Sequence, residues 1–246
     1  MHCKQWIFDM DGTLTDSMTV VWEGAPTHCC AAMAAPRGGS LRATLLNMGM
    51  QEGAQYLIRE YGLPLTEESY FSVMREVIAE LYETVELKPG VRTMLAKLQA
   101  EGARMCICSN TWAEQCRTVL TRLGIAQYFS FIVEARGVLH KSHPEVFFEC
   151  MSRLGGADPA ACAVCEDAVY AAATAHKAGY YVIGICRPHL CPPTSRRCAA
   201  SAASSCPGGM RWTGHVCKKK GRSVRFFSLS DPSLLLHFVR KKSILL

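Results

Sequence analysis

Five short apolar runs, each closed by a turn or polar residue, recur along the first 186 residues: Trp6-Ile7-Phe8, Arg104 to Cys108 (RMCIC), Phe129 to Val133 (FSFIV), Ala161 to Cys165 (ACAVC) and Tyr181 to Ile185 (YVIGI). Runs of this length and composition read as buried strands. Helical patterns lie between them. Val91, Met94, Leu95 and Leu98 fall at i, i+3, i+4 and i+7 after Pro89-Gly90, and Gly102 stops the pattern. Trp112 to Leu123 stops at Gly124, Pro144 to Leu154 at Gly155-Gly156, and Ala168 to Ala178 at Gly179. Strand and helix alternating in this way predict an α/β fold built on a doubly wound parallel sheet.

One block breaks the alternation. Ser17 to Glu86 holds no convincing strand and reads as helices: Ala54 to Tyr61, then a long helix opened by Thr66-Glu67-Glu68 and running through Phe71, Met74, Val77, Ile78 and Leu81. An insert that leaves at a strand's carboxyl end is well placed to cover whatever binds there.

Charge divides the chain unevenly. From Arg187 to Leu246 there are twelve Lys/Arg against the single acid Asp231, whereas the first 186 residues carry fifteen Lys/Arg and twenty Asp/Glu. The basic segment to about Arg225 has Ala/Ser tracts, paired Pro and Gly-Gly without a clear period, so residues 187–226 are expected to lack order. Ser230-Asp231-Pro232 followed by Leu234, Leu235, Phe238 and Val239 predicts a capped helix within 227–246 that packs on the core. Lys218-Lys219-Lys220, Arg222 and Arg225 interleaved with Trp212, Phe226 and Phe227 make nucleic acid or an anionic surface a conceivable partner, with a solvated tail as the plainer reading. No apolar run reaches the length of a membrane span and the N-terminus lacks a signal pattern, so a soluble, cytoplasmic and monomeric protein is expected. The fourteen cysteines sit largely in or beside the apolar runs and read as small core residues, with no zinc knuckle among the late ones.

The first run leads into two acids one residue apart, in WIFDMDGTLTDS (residues 6–17). Burying unpaired carboxylates beside a strand is costly or shifts their pKa values, so Asp9 and Asp11 need compensation. A cation, or a substrate arriving with one, supplies it at strand carboxyl ends in open α/β sheets. Three more polar clusters follow: Ser109 in CSNT after RMCIC, Lys141 in HKSHPEVF, and Glu166-Asp167 after ACAVC. Singly, each has a plainer reading: a tight turn for DGT, a helix cap for Ser109-Asn110, a solvated lysine, and acids at a helix N-terminus. Together they are the parts phosphoryl transfer needs, where the protein must hold phosphate charge and align a nucleophile with a leaving oxygen.

Asp9-x-Asp11-Gly12-Thr13 with Ser109, Lys141 and Glu166-Asp167 in this order resembles the haloacid dehalogenase-like superfamily, and within it the β-phosphoglucomutase-like and phosphoglycolate-phosphatase-like branch. The resemblance covers residues 5 to 186 and implies a Rossmann-like catalytic core formed by 1–16 and 87–186, with 17–86 as an inserted helical cap domain. It further implies that Asp9 is the nucleophile, Asp11 the general acid and base, Ser109 a hydrogen-bond partner of the transferring oxygens, and Lys141 the balancing charge. Mg²⁺ would rest on Asp9, the main-chain carbonyl of Asp11 and Asp167, with Glu166 acting through a water. Gly12, Thr13, Asn110 and Arg42 are the candidate substrate contacts. Ala168, Ala171 and His140 stand where the family commonly has Ser, Gly and Gly.

The residues narrow the family's reactions. A dehalogenase has no need of an acid two residues after its nucleophile, whereas Asp11 suits an alcohol leaving group. A phosphonate hydrolase of this kind takes a Schiff-base lysine from its cap, and Ser17 to Glu86 contains no lysine. A phosphatase acting on a small phosphorylated metabolite is therefore expected, with a sugar phosphomutase as the alternative. A third reading is a catalytically impaired protein acting through its basic tail.

Overall fold

The computed structural model describes residues 3–22, 24–25, 50–185, 214–219 and 222–227. The chain divides into two compact units, Met1–Thr15 with Leu87–Leu246, and Asp16–Glu86.

The first unit is built on a seven-stranded sheet in the order β3-β2-β1-β4-β5-β7-β6. Its strands are β1 (Gln5–Phe8), β2 (Arg104–Ser109), β3 (Ile132–Glu134), β4 (Cys162–Glu166), β5 (Tyr181–Ile185), β6 (Gly214–Lys219) and β7 (Arg222–Phe227). β1 lies between β2 and β4, with Ile7 opposite Cys106 on one side and Val164 on the other, and β1 to β5 are all parallel. The helices between the strands are Val91–Ala100, Ala113–Arg122, Glu145–Arg153 and Val169–Lys177. Chain order therefore leaves β1 first toward β2 and β3 and later crosses to β4 and β5. That reversal puts a topological switch point beside β1, where such sheets open a crevice at the strands' carboxyl ends.

Burial explains why the apolar runs form these strands. Trp6, Ile7 and Phe8 are wholly inaccessible, and Cys106, Cys108, Cys162 and Val164 share one core cluster with Val146, Phe147 and Cys150 from the helix before β4. Cys3, Cys106, Cys108, Cys116, Cys150, Cys162 and Cys165 are free thiols, and the six after Cys3 are buried as small core residues. Burial raises the thiol pKa of Cys116 and Cys165, as expected for unreactive sulfurs in apolar surroundings.

Two differences from the sequence pattern have physical causes. β3 covers only Ile132–Glu134, because the chain first makes a 3-10 turn at Ala126–Tyr128 and then meets a single neighbour, β2, at the sheet edge. Within the segment expected to lack order, Gly214–Lys219 and Arg222–Phe227 instead form an antiparallel hairpin whose second strand adds to β5 in parallel. Val224 and Phe226 on either side of Arg225 suit a strand, but the density of Lys and Arg hides that period in the sequence. Residues 187–213 and the helix expected within 227–246 lie outside the described residues, save Phe227 in β7.

The second unit is helical. Met50–Glu60 and Glu67–Tyr82 pack together, and Gln51 and Gln55 of the first donate to Glu67 of the second at 3.2 and 2.7 Å. A capping box starts the longer helix: Thr66 accepts from the Ser69 main-chain N–H, and Ser69 accepts from that of Thr66. Its buried stripe is Tyr70, Met74, Ile78 and Tyr82, while Phe71, Val77 and Leu81 lie at its margins. The insert closes on itself where the Asp16 N–H donates to the Glu86 carbonyl at 3.0 Å. No described helix is long and apolar enough to cross a membrane.

Candidate active site

The carboxyl ends of β1, β2 and β4 bring the polar clusters together. Asp9 follows β1 directly, its N–H held by the Cys165 carbonyl of β4 at 3.0 Å. Ser109 is the last residue of β2, Glu166 the last of β4, and Asp167 comes next. Lys141 arrives on the loop between a 3-10 turn at Gly137–Leu139 and the helix Glu145–Arg153. Its four-carbon stem carries the charge inward, so that the residue is only 2 % exposed.

There the Lys141 ammonium donates to Asp9 Oδ1 and to Glu166 Oε1, each at 2.6 Å. Burial alone would depress its pKa, but Asp9 and then Glu166 outweigh this and hold it well above the ordinary value. Glu166 moves in the acid-weakening direction. Burial is the main cause, Lys141 opposes it, Asp9 adds to it, and the carboxyl is pushed up to about 7. Its other oxygen, Oε2, accepts the Ala168 N–H at 2.8 Å, at the start of the helix Val169–Lys177.

Carboxylate oxygens of Asp9, Glu166 and Asp167 all lie within 4.8 Å of one another. Three clustered acids against one lysine leave an excess of negative charge in a buried place, and Asp9 Oδ2 is buried without a hydrogen-bond partner. An all-oxygen donor set with an orphaned carboxylate oxygen fits a hard divalent cation such as Mg²⁺. Among the described residues no histidine joins the cluster.

The remaining expected residues are distributed around these. Asp11 is buried, but its carboxylate is outside the three-acid cluster and accepts from the Thr111 hydroxyl at 2.6 Å. Ser109 Oγ accepts the Thr111 N–H at 3.1 Å, so it caps the turn after β2 while lying at the strand end. Gly12 adopts a positive φ of 79°, a conformation glycine enters without a Cβ penalty, and its N–H reaches the Thr15 carbonyl at 3.0 Å. The Thr13 hydroxyl is buried without a partner. Asn110 donates through Nδ2 to the Tyr170 hydroxyl at 3.0 Å. Arg42 lies outside the described residues.

Two neighbours carried no sequence signal of their own. Thr111 is the last letter of CSNT, where a threonine reads only as a turn residue. Tyr170 stacks on His140 with ring centroids 5.7 Å apart and planes 3° from parallel. The tyrosine pKa is raised, chiefly by burial, and that of the His140 imidazole is lowered, again chiefly by burial.

Comparison with known proteins points the same way. The profile of the family described as haloacid dehalogenase-like hydrolase matches residues 6–185. Hexitol phosphatase B of Escherichia coli K12 is 30% identical over 167 residues, spanning 66% of this chain and 74% of that protein. Phosphoglycolate phosphatase of Yersinia pseudotuberculosis is 29% identical over 167 residues, spanning 60% of this chain and 66% of that one. Among solved structures, β-phosphoglucomutase of Clostridium difficile superposes with a TM-score of 0.61 at 20% identity, covering 77% of this chain and 86% of that one.

Proposed function

Because the chain belongs to the haloacid dehalogenase-like hydrolase family, we propose that it is a Mg²⁺-dependent phosphatase that hydrolyses a small phosphate monoester through an aspartyl phosphate on Asp9. The observation that carries this reading is the buried Lys141 bridging Asp9 and Glu166 beside an unpartnered Asp9 oxygen. Lysine holds the Asp9 carboxylate in one orientation, as a nucleophile aimed at phosphorus requires.

In the first half-reaction an Asp9 oxygen bonds to phosphorus as the ester bond breaks, and Asp11 gives its proton to the departing oxygen. In the second, water attacks the same phosphorus, Asp11 takes a proton from that water, and the bond to Asp9 breaks. Ser109 and the Thr13 hydroxyl would hydrogen-bond phosphoryl oxygens, while Lys141 would hold the charge shared between Asp9 and phosphate. Asp9, Asp167, the Asp11 main-chain carbonyl and Glu166 through a water are the residues that would hold Mg²⁺, which when bound neutralises phosphate charge. The helical unit Asp16–Glu86 serves as the cap that selects the substrate.

Release of phosphate from p-nitrophenyl phosphate in the presence of Mg²⁺ tests the proposal. Activity should vanish with EDTA and in Asp9→Asn; absence of turnover with every divalent metal would overturn it. Hexitol phosphates and phosphoglycolate are the first physiological esters to assay, given the relatives' names. The likeness in fold to a β-phosphoglucomutase makes one control necessary. β-Glucose 1-phosphate with a bisphosphate primer should yield free phosphate, and glucose 6-phosphate without free phosphate would replace hydrolysis by the mutase reaction.

A further inference from the structure

Thr111 is wholly buried and bonds to two of the expected site residues. Its main-chain N–H donates to Ser109 Oγ at 3.1 Å, and its hydroxyl donates to Asp11 Oδ2 at 2.6 Å, joining positions 100 apart in the chain. At 2.6 Å the hydroxyl-to-carboxyl bond lies at the short end of the O–H···O range of about 2.5–3.0 Å. Valine would fill the same space, so what the site uses at this position is the hydroxyl.

We infer that Thr111 is a positioning residue for phosphoryl transfer: its hydroxyl holds Asp11 Oδ2 as an acceptor, so that the transferable proton of Asp11 travels on Oδ1. The inference rests on the phosphatase reading. As the Asp9 oxygen bonds to phosphorus and the ester bond breaks, the proton on Oδ1 passes to the departing oxygen and leaves Asp11 ionised. In hydrolysis the attacking water returns a proton to the same oxygen while the phosphorus bond to Asp9 breaks. Without the Thr111 hydroxyl the anchor on Oδ2 is lost, and the fraction of time in which Oδ1 faces the leaving oxygen falls. A proton misplaced by about 1 Å can cost on the order of 100-fold in rate.

This role predicts a dependence on the leaving group that a packing role would not show. Nitrophenolate is stable enough to depart without a proton, whereas the more basic phenolate gains from one. kcat/KM for p-nitrophenyl phosphate and for phenyl phosphate should be measured with Mg²⁺ in wild type, Thr111→Val and Thr111→Ser, with thermal melts alongside. The valine variant should lose about 10-fold or more on phenyl phosphate and less than about 3-fold on p-nitrophenyl phosphate, against a general-acid contribution of about 100-fold or more. Serine, which restores the hydroxyl, should return both values to within about 2-fold of wild type, and it keeps the test informative if valine impairs folding. Equal losses on both substrates, or a serine variant as selective and as slow as valine, would overturn the role of Thr111 while leaving an active phosphatase. An inactive wild type, or an Asp9→Asn variant that stays active, would overturn the phosphatase reading and this inference with it.

Discussion

Replacing Lys141 by Met keeps the aliphatic stem and removes the charge that faces two buried carboxylates. In wild type each of those carboxylates receives a 2.6 Å bond from the ammonium, and lysine and Glu166 are 2 % and 1 % exposed, so water cannot take over the lost interaction. Leaving buried charge uncompensated costs about 3–5 kcal/mol. The sign of the pH dependence follows from Glu166, whose folded-state pKa of about 7 lies above its ordinary 4.5. A raised carboxyl pKa favours folding below the unfolded value, and that contribution is lost as the pH rises through the folded value. Lys141 is one of the influences that lower it, so in Lys141→Met the carboxyl should titrate higher still. The stability deficit should then be greatest near pH 8 and shrink by about 1 kcal/mol or more on going to pH 5, where Glu166 is protonated. Urea unfolding in EDTA, followed by the fluorescence of the buried Trp6 and Trp112, reads the unit that holds the site. A deficit below about 1 kcal/mol that does not change with pH would refute the view that Lys141 balances these acids.

Glu166→Gln should weaken Mg²⁺ binding by about 10- to 100-fold, the range for a ligand-supporting residue, as read by titration calorimetry on the metal-free protein. In wild type, Mg²⁺ added to the EDTA-treated protein should raise the melting temperature, since a ligand that binds only the folded state stabilises it, and Asp167→Asn should abolish most of that rise. Gly12→Ala should lower stability by about 1–2 kcal/mol in thermal unfolding, because its φ of 79° puts a Cβ in the left-handed region.

Much of this arrangement is legible in the sequence because strand and site share one grammar. Apolar runs such as ACAVC must be buried on both sides, so acids that follow at once, as Glu166 and Asp167 do, mark the rim where burial ends. The same logic finds Asp9 and Ser109. What escapes it are contacts set by packing across distant positions: nothing local ties Thr111 to Asp11, or His140 to Tyr170. In the longer helix of the inserted unit, periodicity marks a helix but does not choose its inner face; Tyr70 and Tyr82 complete the stripe that Met74 and Ile78 begin. The hairpin Gly214–Lys219 and Arg222–Phe227 is hidden for a different reason, since its basic residues match a solvated tail as well as an edge of the sheet.

The most direct measurement follows the phosphoryl group itself. Protein mixed with p-nitrophenyl phosphate and Mg²⁺, quenched in acid within the first turnover and digested, should carry phosphate on the peptide containing Asp9, in a hydroxylamine-labile bond that Asp9→Asn lacks. Phosphate found on another residue, or turnover with no covalent phosphate at any quench time while Asp9→Asn remains active, would contradict the account.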